Sequence, residues 1–155
     1  MRTVKPTVFS VQTVTIAVFL SLGISPLAAK EYPLSSGSSL LSACKKDIAR
    51  TEGATLSNAD KARGLMCAAY IKGFVEGHDT IAIRLAKRQY GGKVANSNVE
   101  TFRLFCYPET IAVPQLTRVV IRYLEQHPET LHLHPVLTVT AALREAFPCQ
   151  LQLRG

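Results

Sequence analysis

Residues 114–124 read Pro-Gln-Leu-Thr-Arg-Val-Val-Ile-Arg-Tyr-Leu, and this stretch decides the fold class. Pro114 suits the first position of a helix, where its missing N–H costs nothing. Apolar side chains then recur at the i, i+3, i+4, i+7, i+8 spacing of one helix face; they are Leu116, Val119, Val120, Tyr123 and Leu124. His127 and Pro128 end the pattern. The spacing predicts an amphipathic helix whose apolar face other helices must cover.

A similar pattern predicts one helix on the carboxyl side of this stretch and a short helix that begins near Leu40. The later helix begins near Pro135, ends at Pro148, and is expected to turn four side chains inward: Val136, Val139, Leu143 and Phe147. The early helix ends at Gly53 and carries a stripe of Leu40, Leu41, Cys44 and Ile48. No alternating run indicates a strand, so the sequence predicts an all-α fold, a compact bundle of four to five helices.

The longest helix is predicted between these, from an N-cap at Ser57 to Gly91-Gly92. Its expected buried stripe consists of Ala62, Leu65, Met66, Ala69, Gly73, Gly77, Ile81 and Leu85. Gly64, Gly73 and Gly77 each cost a helix interior about 1 kcal/mol relative to Ala. Close approach of a neighbouring helix is the expected reason, and a kink or break between Gly73 and Gly77 is the alternative. Residues 89–100 follow as a polar, exposed loop, with Tyr90 the tyrosine best placed for exposure.

Four cysteines, Cys44, Cys67, Cys106 and Cys149, are separated by 23, 39 and 43 positions with no C-x-x-C pair, which disfavours a zinc site. Short connections make successive helices antiparallel. Cys106 and Cys149 therefore fall at one end of the last helix pair, and Cys44 and Cys67 face each other across the first. We expect disulfides Cys44–Cys67 and Cys106–Cys149, which staple the bundle.

The first 29 residues have the pattern of an export signal. Arg2 and Lys5 precede an uncharged stretch whose most apolar run is 14–22, and small residues at 25–29 favour cleavage after Ala29. A retained anchor is the alternative reading. Cleavage would leave no stable membrane span, a flexible segment at 30–39, a helical domain at 40–150 and a tail at 151–155. Export would also place the cysteines in an oxidising compartment.

No motif for catalysis or cofactor binding is present. The formal charge of +7 is spread along the chain without a Lys/Arg run, so nucleic acid is not an expected partner. His132 and His134 lack the neighbouring ligands of a metal site, and a surface or capping role is expected for them. His78 is expected to face solvent or to be satisfied internally. Arg118 and Arg122 are expected on a solvated face, with recognition of an acidic partner as the alternative.

Four segments together resemble the Rap/Tai family of immunity proteins associated with type VI secretion in Gram-negative bacteria. They are Cys67-Ala-Ala-Tyr-Ile-Lys-Gly73, Phe105-Cys-Tyr-Pro108, residues 115–120 continuing into Tyr123-Leu-Glu-Gln-His-Pro-Glu129, and Ala142-Leu-Arg-Glu-Ala-Phe-Pro-Cys149. Their order and spacing also fit, over most of the chain from Leu40 to Cys149.

The resemblance implies a periplasmic protein that binds and blocks a toxic effector, typically a peptidoglycan amidase, without catalysing a reaction itself. It also implies that two copies can form a homodimer and that a protruding loop enters the effector's active-site groove. The polar loop is the segment suited to that part, and the residues expected to bind the partner are Tyr90, Gly91, Gly92, Lys93, Asn96, Ser97, Asn98, Arg118 and Arg122. A general periplasmic stress or envelope-assembly helper on the same scaffold is the alternative function.

Overall fold

The computed structural model of the protein describes residues 34–149. Five α-helices follow one another, with one 3-10 turn, Pro128–Thr130, before the last. The helices are α1 (Gly37–Thr51), α2 (Asn58–Tyr90), α3 (Asn96–Glu100), α4 (Val113–Gln126) and α5 (Pro135–Ala146). The described residues contain no strand, so the predicted all-α bundle of four to five helices is confirmed. The expected signal at 1–29 and tail at 151–155 lie outside the described residues.

The centre of the fold is formed where α4 packs against α1, α2 and α5. Its buried side chains include Leu116, Val120 and Leu124, as the opening stretch predicts. The largest apolar side chain in this core is Phe105, which is fully buried and comes from the irregular segment between α3 and α4. Within residues 34–149, no helix combines the length and the apolar composition that crossing a bilayer requires.

Helix α1 begins at Gly37, earlier than the expected Leu40. Ser36 is its N-cap, accepting a hydrogen bond from the Ser39 N–H, while the Ser39 hydroxyl accepts one from the Ser36 N–H. The N–H of Gly37 also donates to the Leu133 carbonyl at 2.8 Å. The Ser-rich run therefore supplies a capping box rather than only flexible chain.

Helix α5 buries the expected face except at Val136. Val139 and Leu143 are buried and Phe147 packs against the main core, whereas Val136 is 42% exposed. Pro135, Thr138 and Ala142 complete the buried face. The buried set therefore begins one residue earlier than the expected one.

Helix α2 is continuous across Gly73 and Gly77, so the alternative of a break there is wrong. The expected buried stripe is wrong as well, because all of its members face solvent, Leu65 at 54% and Ile81 at 60% exposure among them. The face that packs into the protein consists of Gly64, Cys67, Ile71, Val75, Ala82 and Ala86. Both faces of α2 carry small and apolar residues, and the tertiary structure uses the opposite one.

The three glycines of α2 consequently have different roles. A Cβ at Gly64 would lie 2.8 Å from the backbone nitrogen of Asp47, so this glycine permits close packing of α2 on α1, as expected. Nothing lies within 4 Å of a Cβ placed at Gly73 or Gly77. Close packing within the chain is therefore the wrong explanation for these two.

Both expected disulfides are formed. The Cα atoms of Cys44 and Cys67 are 5.1 Å apart, and those of Cys106 and Cys149 are 4.8 Å apart. The first bond joins α1 to α2, and the second joins the segment before α4 to the end of α5. None of these four cysteines is left as a free thiol.

Candidate partner-binding site

Residues 82–102 form a two-helix projection, which we call the arm. In the arm, the last turns of α2 reverse through residues 91–95 into α3. It has its own small apolar cluster, in which Ala82, Ala86 and Val99 are buried and Val94 and Phe102 pack against them. At 1.5 Å per residue, the 33 residues of α2 span about 50 Å and the 14 of α4 about 21 Å. This difference in length lets α2 reach beyond the main core.

The expected exposed loop at 89–100 is mostly helical, which corrects the prediction. Helix α2 continues to Tyr90, and α3 occupies Asn96–Glu100, so only residues 91–95 connect them. Gly91 and Gly92 have φ of 71° and 37°, a region that side-chain-bearing residues avoid, and they allow the reversal. Burial of Val99 against Ala82 and Ala86 then orders the returning segment as α3.

The end of the arm, which we call the tip, contains seven of the nine residues expected to bind the partner. They are Tyr90, Gly91, Gly92, Lys93, Asn96, Ser97 and Asn98, and all except the half-buried Asn98 are exposed. Tyr90 is 52% exposed, whereas Tyr70 and Tyr107 are half-buried. The Tyr90 ring meets Phe102 edge to face at 6.4 Å between centroids, which limits its freedom. A held aromatic ring among small polar groups is typical of a protein-binding surface.

A polar cluster, which we call the anchor, fixes the base of the arm. It consists of His78 and Asp79 on α2 with Arg103 and Tyr107 from the segment after α3. The Tyr107 hydroxyl donates a hydrogen bond to Asp79 Oδ2, and Arg103 Nε lies 3.2 Å from Asp79 Oδ1. Burial, reinforced by the Asp79 carboxylate, raises the pKa of Tyr107 well above its ordinary value. The phenol therefore stays protonated and remains a donor.

His78 completes the anchor as a neutral acceptor. Its Nε2 accepts a hydrogen bond from the Leu104 N–H at 2.9 Å, and its ring stacks on Phe105 with centroids 4.0 Å apart. Burial lowers the pKa of His78, although the neighbouring Asp79 opposes this effect. One ring nitrogen of His78 is thus satisfied internally, whereas its buried Nδ1 has no hydrogen-bond partner among residues 34–149 and lies 3.4 Å from Asp79 Oδ1. The pairing of Asp79 with Tyr107 has no signal in the sequence, because 28 positions and an irregular segment separate them.

A cleft of about 330 Å³ lies beside the tip, between α3 and the segment that follows it. Its walls are mainly polar and include Asn96, Glu100, Arg103, Tyr107 and Glu109. Of the expected partner-binding residues, only Asn96 lines this cleft. No sequence pattern marks Glu100, Glu109 or Arg103 as cleft residues, since single charged residues around a turn normally indicate solvated surface.

The remaining two expected residues, Arg118 and Arg122, lie elsewhere, in a groove of about 340 Å³ between α1 and α4. Arg118 is paired with Glu52 at 3.1 Å, and Lys45 with Glu125 at 2.8 Å, so two ion pairs cross the groove. Arg122 has no ion-pair partner among residues 34–149. The tip and this groove share no lining residue, and the expected set therefore divides between two surfaces.

The histidines between α4 and α5 have the surface or capping role expected for them. His134 is the N-cap of α5, and its Nδ1 accepts a hydrogen bond from the Val136 N–H at 3.3 Å. His132 is exposed. In the part of the chain that the structure describes, no three His, Cys, Asp or Glu side chains converge as metal ligands would.

Comparison with known proteins gives one match. The model of a family described as Rap1a immunity proteins matches residues 36–149, a range that includes both disulfides, the arm and the α1–α4 groove. No curated protein and no solved structure matches the chain.

Proposed function

The chain belongs to the Rap1a immunity proteins, and from this we propose that it protects the cell that makes it by binding and blocking one toxic secreted effector. The family match carries this proposal. Immunity proteins of this kind act as stoichiometric binders rather than as catalysts, which agrees with a cross-linked scaffold that presents a projecting tip.

We place this activity in the periplasm. The two disulfides indicate an oxidising compartment outside the cytoplasm, because such bonds do not persist against cytoplasmic reductants. Residues 1–29 would act as the cleaved export signal. Periplasmic fractionation of cells expressing the complete chain, followed by N-terminal sequencing, tests both points. A mature protein beginning at Lys30 is expected, and a membrane-bound protein with an intact N-terminus would contradict the proposal.

The effector we propose is a peptidoglycan amidase delivered by type VI secretion, as the family resemblance implies. An enzyme of that class cleaves a polymer and needs a concave active site. Only two helices and one reversal build the end of the arm, and an element of that size can enter a groove that a flat surface cannot. We propose that the tip occupies the effector's substrate groove and excludes peptidoglycan from it.

The test is a pull-down with the tagged complete chain, expressed for export with its disulfides intact. Recovery of one cell-wall hydrolase at equal stoichiometry, inactive while bound, is the expected result. Recovery of many unfolded proteins instead would favour the general periplasmic helper, and recovery of nothing would leave the family match as a statement about fold.

The role of the tip is tested by Tyr90→Ala combined with Lys93→Ala, two exposed changes that leave the buried Ala82, Ala86 and Val99 of the arm in place. We expect the inhibition constant for the recovered hydrolase to rise by at least about tenfold, as for truncation of an interface anchor. Leu137→Ala is the matched control, because Leu137 is 55% exposed and lies on α5. If the unmodified protein, the double variant and Leu137→Ala inhibit the hydrolase equally, the tip is not part of the interface.

The α1–α4 groove is the second contact that we propose. Since Arg118 already pairs with Glu52, Arg122 is the cation available to an acidic side chain of the effector. We expect Arg122→Glu to weaken binding and to reduce its dependence on salt, whereas Arg122→Lys should retain much of both. An unchanged affinity for Arg122→Glu would remove this groove from the interface.

A further inference from the structure

The arm carries an excess of positive charge that the rest of the described protein lacks. Residues 80–99 contain no Asp or Glu, and Glu100 is the only acidic residue of the arm. Its four cations, all exposed and none in an ion pair with any of residues 34–149, are Arg84, Lys87, Arg88 and Lys93. The arm therefore has a formal charge of +3, whereas the remaining residues of that range hold ten cations and nine acids. At least six of those ten cations are held in ion pairs.

Three of the four cations lie on one face of α2, which we call the crest: Arg84, Lys87 and Arg88. The opposite face of the helix is covered, because Ala82 and Ala86 pack against α3. At 3.6 residues per turn, Arg84 points directly away from these two alanines, and Lys87 and Arg88 lie on either side of it. The crest is thus the side of the arm that no other part of residues 34–149 covers.

The fold itself does not account for the crest. Residues three and four apart on a helix are neighbours, so Arg84 repels both Lys87 and Arg88 and weakens the helix. The helix dipole favours Lys87 and Arg88, which lie in the last turn of α2, but its effect does not extend back to Arg84. Earlier on the same helix, Lys72 lies 3.7 Å from Glu76, an arrangement typical of a solvated face. A face with cations and no acids is better explained by a partner.

Apolar side chains beside the crest indicate what kind of partner it fits. Ile83 and Leu85 are 39% and 42% exposed and lie on opposite flanks of the crest. A soluble carboxylate polymer would neutralise the cations but leave both side chains in water. A bilayer would take apolar side chains at the outermost position, where Arg84 is found. A groove in a protein can supply both carboxylates at its floor and apolar walls.

We propose that the crest docks into a groove of the effector that has carboxylates at its floor and apolar walls against Ile83 and Leu85. This inference rests on the proposed function and adds the chemistry of the surface that is recognised. The guanidinium groups of Arg84 and Arg88 can each bind a carboxylate through two N–H groups, whereas Lys87 supplies a point charge. Opposite charges also steer the two proteins together, so the crest acts chiefly on the rate of association.

The test compares two triple variants that lose the same charge. The crest variant combines Arg84→Gln, Lys87→Gln and Arg88→Gln. The control variant replaces three exposed cations outside the arm and outside both proposed contacts: Lys61→Gln, Lys72→Gln and Arg144→Gln. Glutamine is a good helix former, and circular dichroism of the complete exported chain verifies that both variants keep their helix content.

The first measurement is the association rate constant with the hydrolase that the pull-down recovers, over a range of salt concentrations. At low salt we expect the crest variant to associate at least about tenfold more slowly than the unmodified protein and to depend less on salt. The control variant should associate within about twofold of the unmodified rate. An equal loss in both variants, or no loss in the crest variant, would overturn the inference while leaving the binding of the hydrolase established.

The second measurement needs no effector and therefore separates failure of this inference from failure of the proposed function. The complete chain is eluted by a salt gradient from immobilised poly-L-glutamate. We expect the crest variant to elute at lower salt than the control variant, because three cations on one helix face bind carboxylates together whereas three scattered ones do not. Elution of both variants at the same salt concentration would overturn the inference even if no hydrolase is recovered.

A third measurement distinguishes a protein groove from the other anionic surfaces of the compartment. The probes are purified peptidoglycan and vesicles of phosphatidylethanolamine with phosphatidylglycerol, each sedimented with the unmodified protein or the crest variant. We expect neither probe to retain the unmodified protein more than the crest variant, since neither offers walls for Ile83 and Leu85. Retention by peptidoglycan or by vesicles that the crest variant loses would assign the crest to that ligand and overturn the inference.

Discussion

Single residues on α2 show how the same amino acid type has different consequences at different depths. Gly64 is buried with α1 backbone atoms against it, whereas Gly73 and Gly77 face open space. A Cβ at Gly64 would also lie 3.0 Å from the Asp47 Cα, and Asp47 is itself buried and paired with Arg50 at 2.7 Å. The backbone of α1 therefore has little room to move away.

We expect Gly64→Ala to destabilise the protein by about 1 to 3 kcal/mol, because overpacking outweighs the gain in helix propensity. Gly73→Ala should instead stabilise the protein by up to about 1 kcal/mol, because nothing lies within 4 Å of a Cβ there. Urea denaturation measures both values. Stabilisation by Gly64→Ala would mean that α1 and α2 approach less closely than described.

His78 makes the stability of the folded protein depend on pH. The folded protein binds a proton at His78 less readily than the unfolded chain, in which histidine has a pKa near 6.5. Stability from this residue is thus fully present above about pH 6.5 and is lost as the pH falls below it, because the unfolded state then takes up the proton. The groups facing the ring are Asp79, Arg103 and, through Asp79, Tyr107.

Denaturation midpoints measured from pH 7.5 to pH 5 should therefore fall with pH in the unmodified protein. His78→Gln should be less stable at neutral pH and should show a weaker decline. His132→Gln, a change at an exposed histidine, should decline as the unmodified protein does. If the denaturation midpoint of His78→Gln falls with pH as steeply as that of the unmodified protein, His78 is not the origin of the decline.

Among the secondary-structure elements, the arm should behave as a separate unit of local stability. Its apolar cluster is small and does not include residues of the main core. We expect Val99→Ala, which removes two buried methyl groups, to speed amide hydrogen exchange in residues 94–102 by about tenfold or more while α4 is little affected. Val120→Ala, a change in the main core, should accelerate exchange throughout. Uniform acceleration by Val99→Ala would mean that the arm opens only with the whole protein.

The helices also show how far the sequence determines this fold. The existence of α1, α2, α4 and α5 was predictable, because each has a regular apolar stripe and a recognisable boundary. Which face of α2 is buried was not predictable, since small and apolar residues recur at helical spacing on both of its faces. Residues 89–100 were expected as a loop because the pattern of five residues is too short to reveal α3, which depends on Val99 packing against Ala82 and Ala86.

The candidate site was predictable only where its residues are close in sequence. The seven tip residues lie between positions 90 and 98, and the structure brings them together at one end of the arm. The anchor joins α2 to residues 103–107. No local sequence pattern predicts that Asp79 pairs with Arg103 and Tyr107 across an irregular segment. Disulfide connectivity was predictable despite larger separations, because helix order alone brings the correct cysteines to the same ends.

At the scale of the whole molecule, the disulfides should contribute much of the stability. Closing loops of 23 and 43 residues stabilises by about 3 to 4 kcal/mol each in the chain-entropy model, against roughly 5 to 15 kcal/mol for a typical domain. We expect the double change Cys106→Ser and Cys149→Ser to lower the free energy of unfolding by about 4 kcal/mol. Cys44→Ala with Cys67→Ala should cost about as much or more, because those cysteines are fully buried.

Thermal and urea unfolding of the two double variants, with the reduced protein as a reference, checks these values. Full reduction should unfold the protein or leave it partly folded at 37 °C. An unchanged melting temperature after verified reduction would show that the apolar core alone maintains the fold.

The positions of the two cross-links have a consequence for how this protein can evolve. The covalent loops enclose residues 44–67 and 106–149, so residues 68–105, which carry the arm, lie outside both. Under the proposed function, mutations in the tip would leave the cross-linked scaffold untouched and would be screened by selection for recognition rather than for folding. A lineage whose attackers change their toxins could then diversify the tip rapidly, while the cysteine framework and the helices that it joins are inherited unaltered.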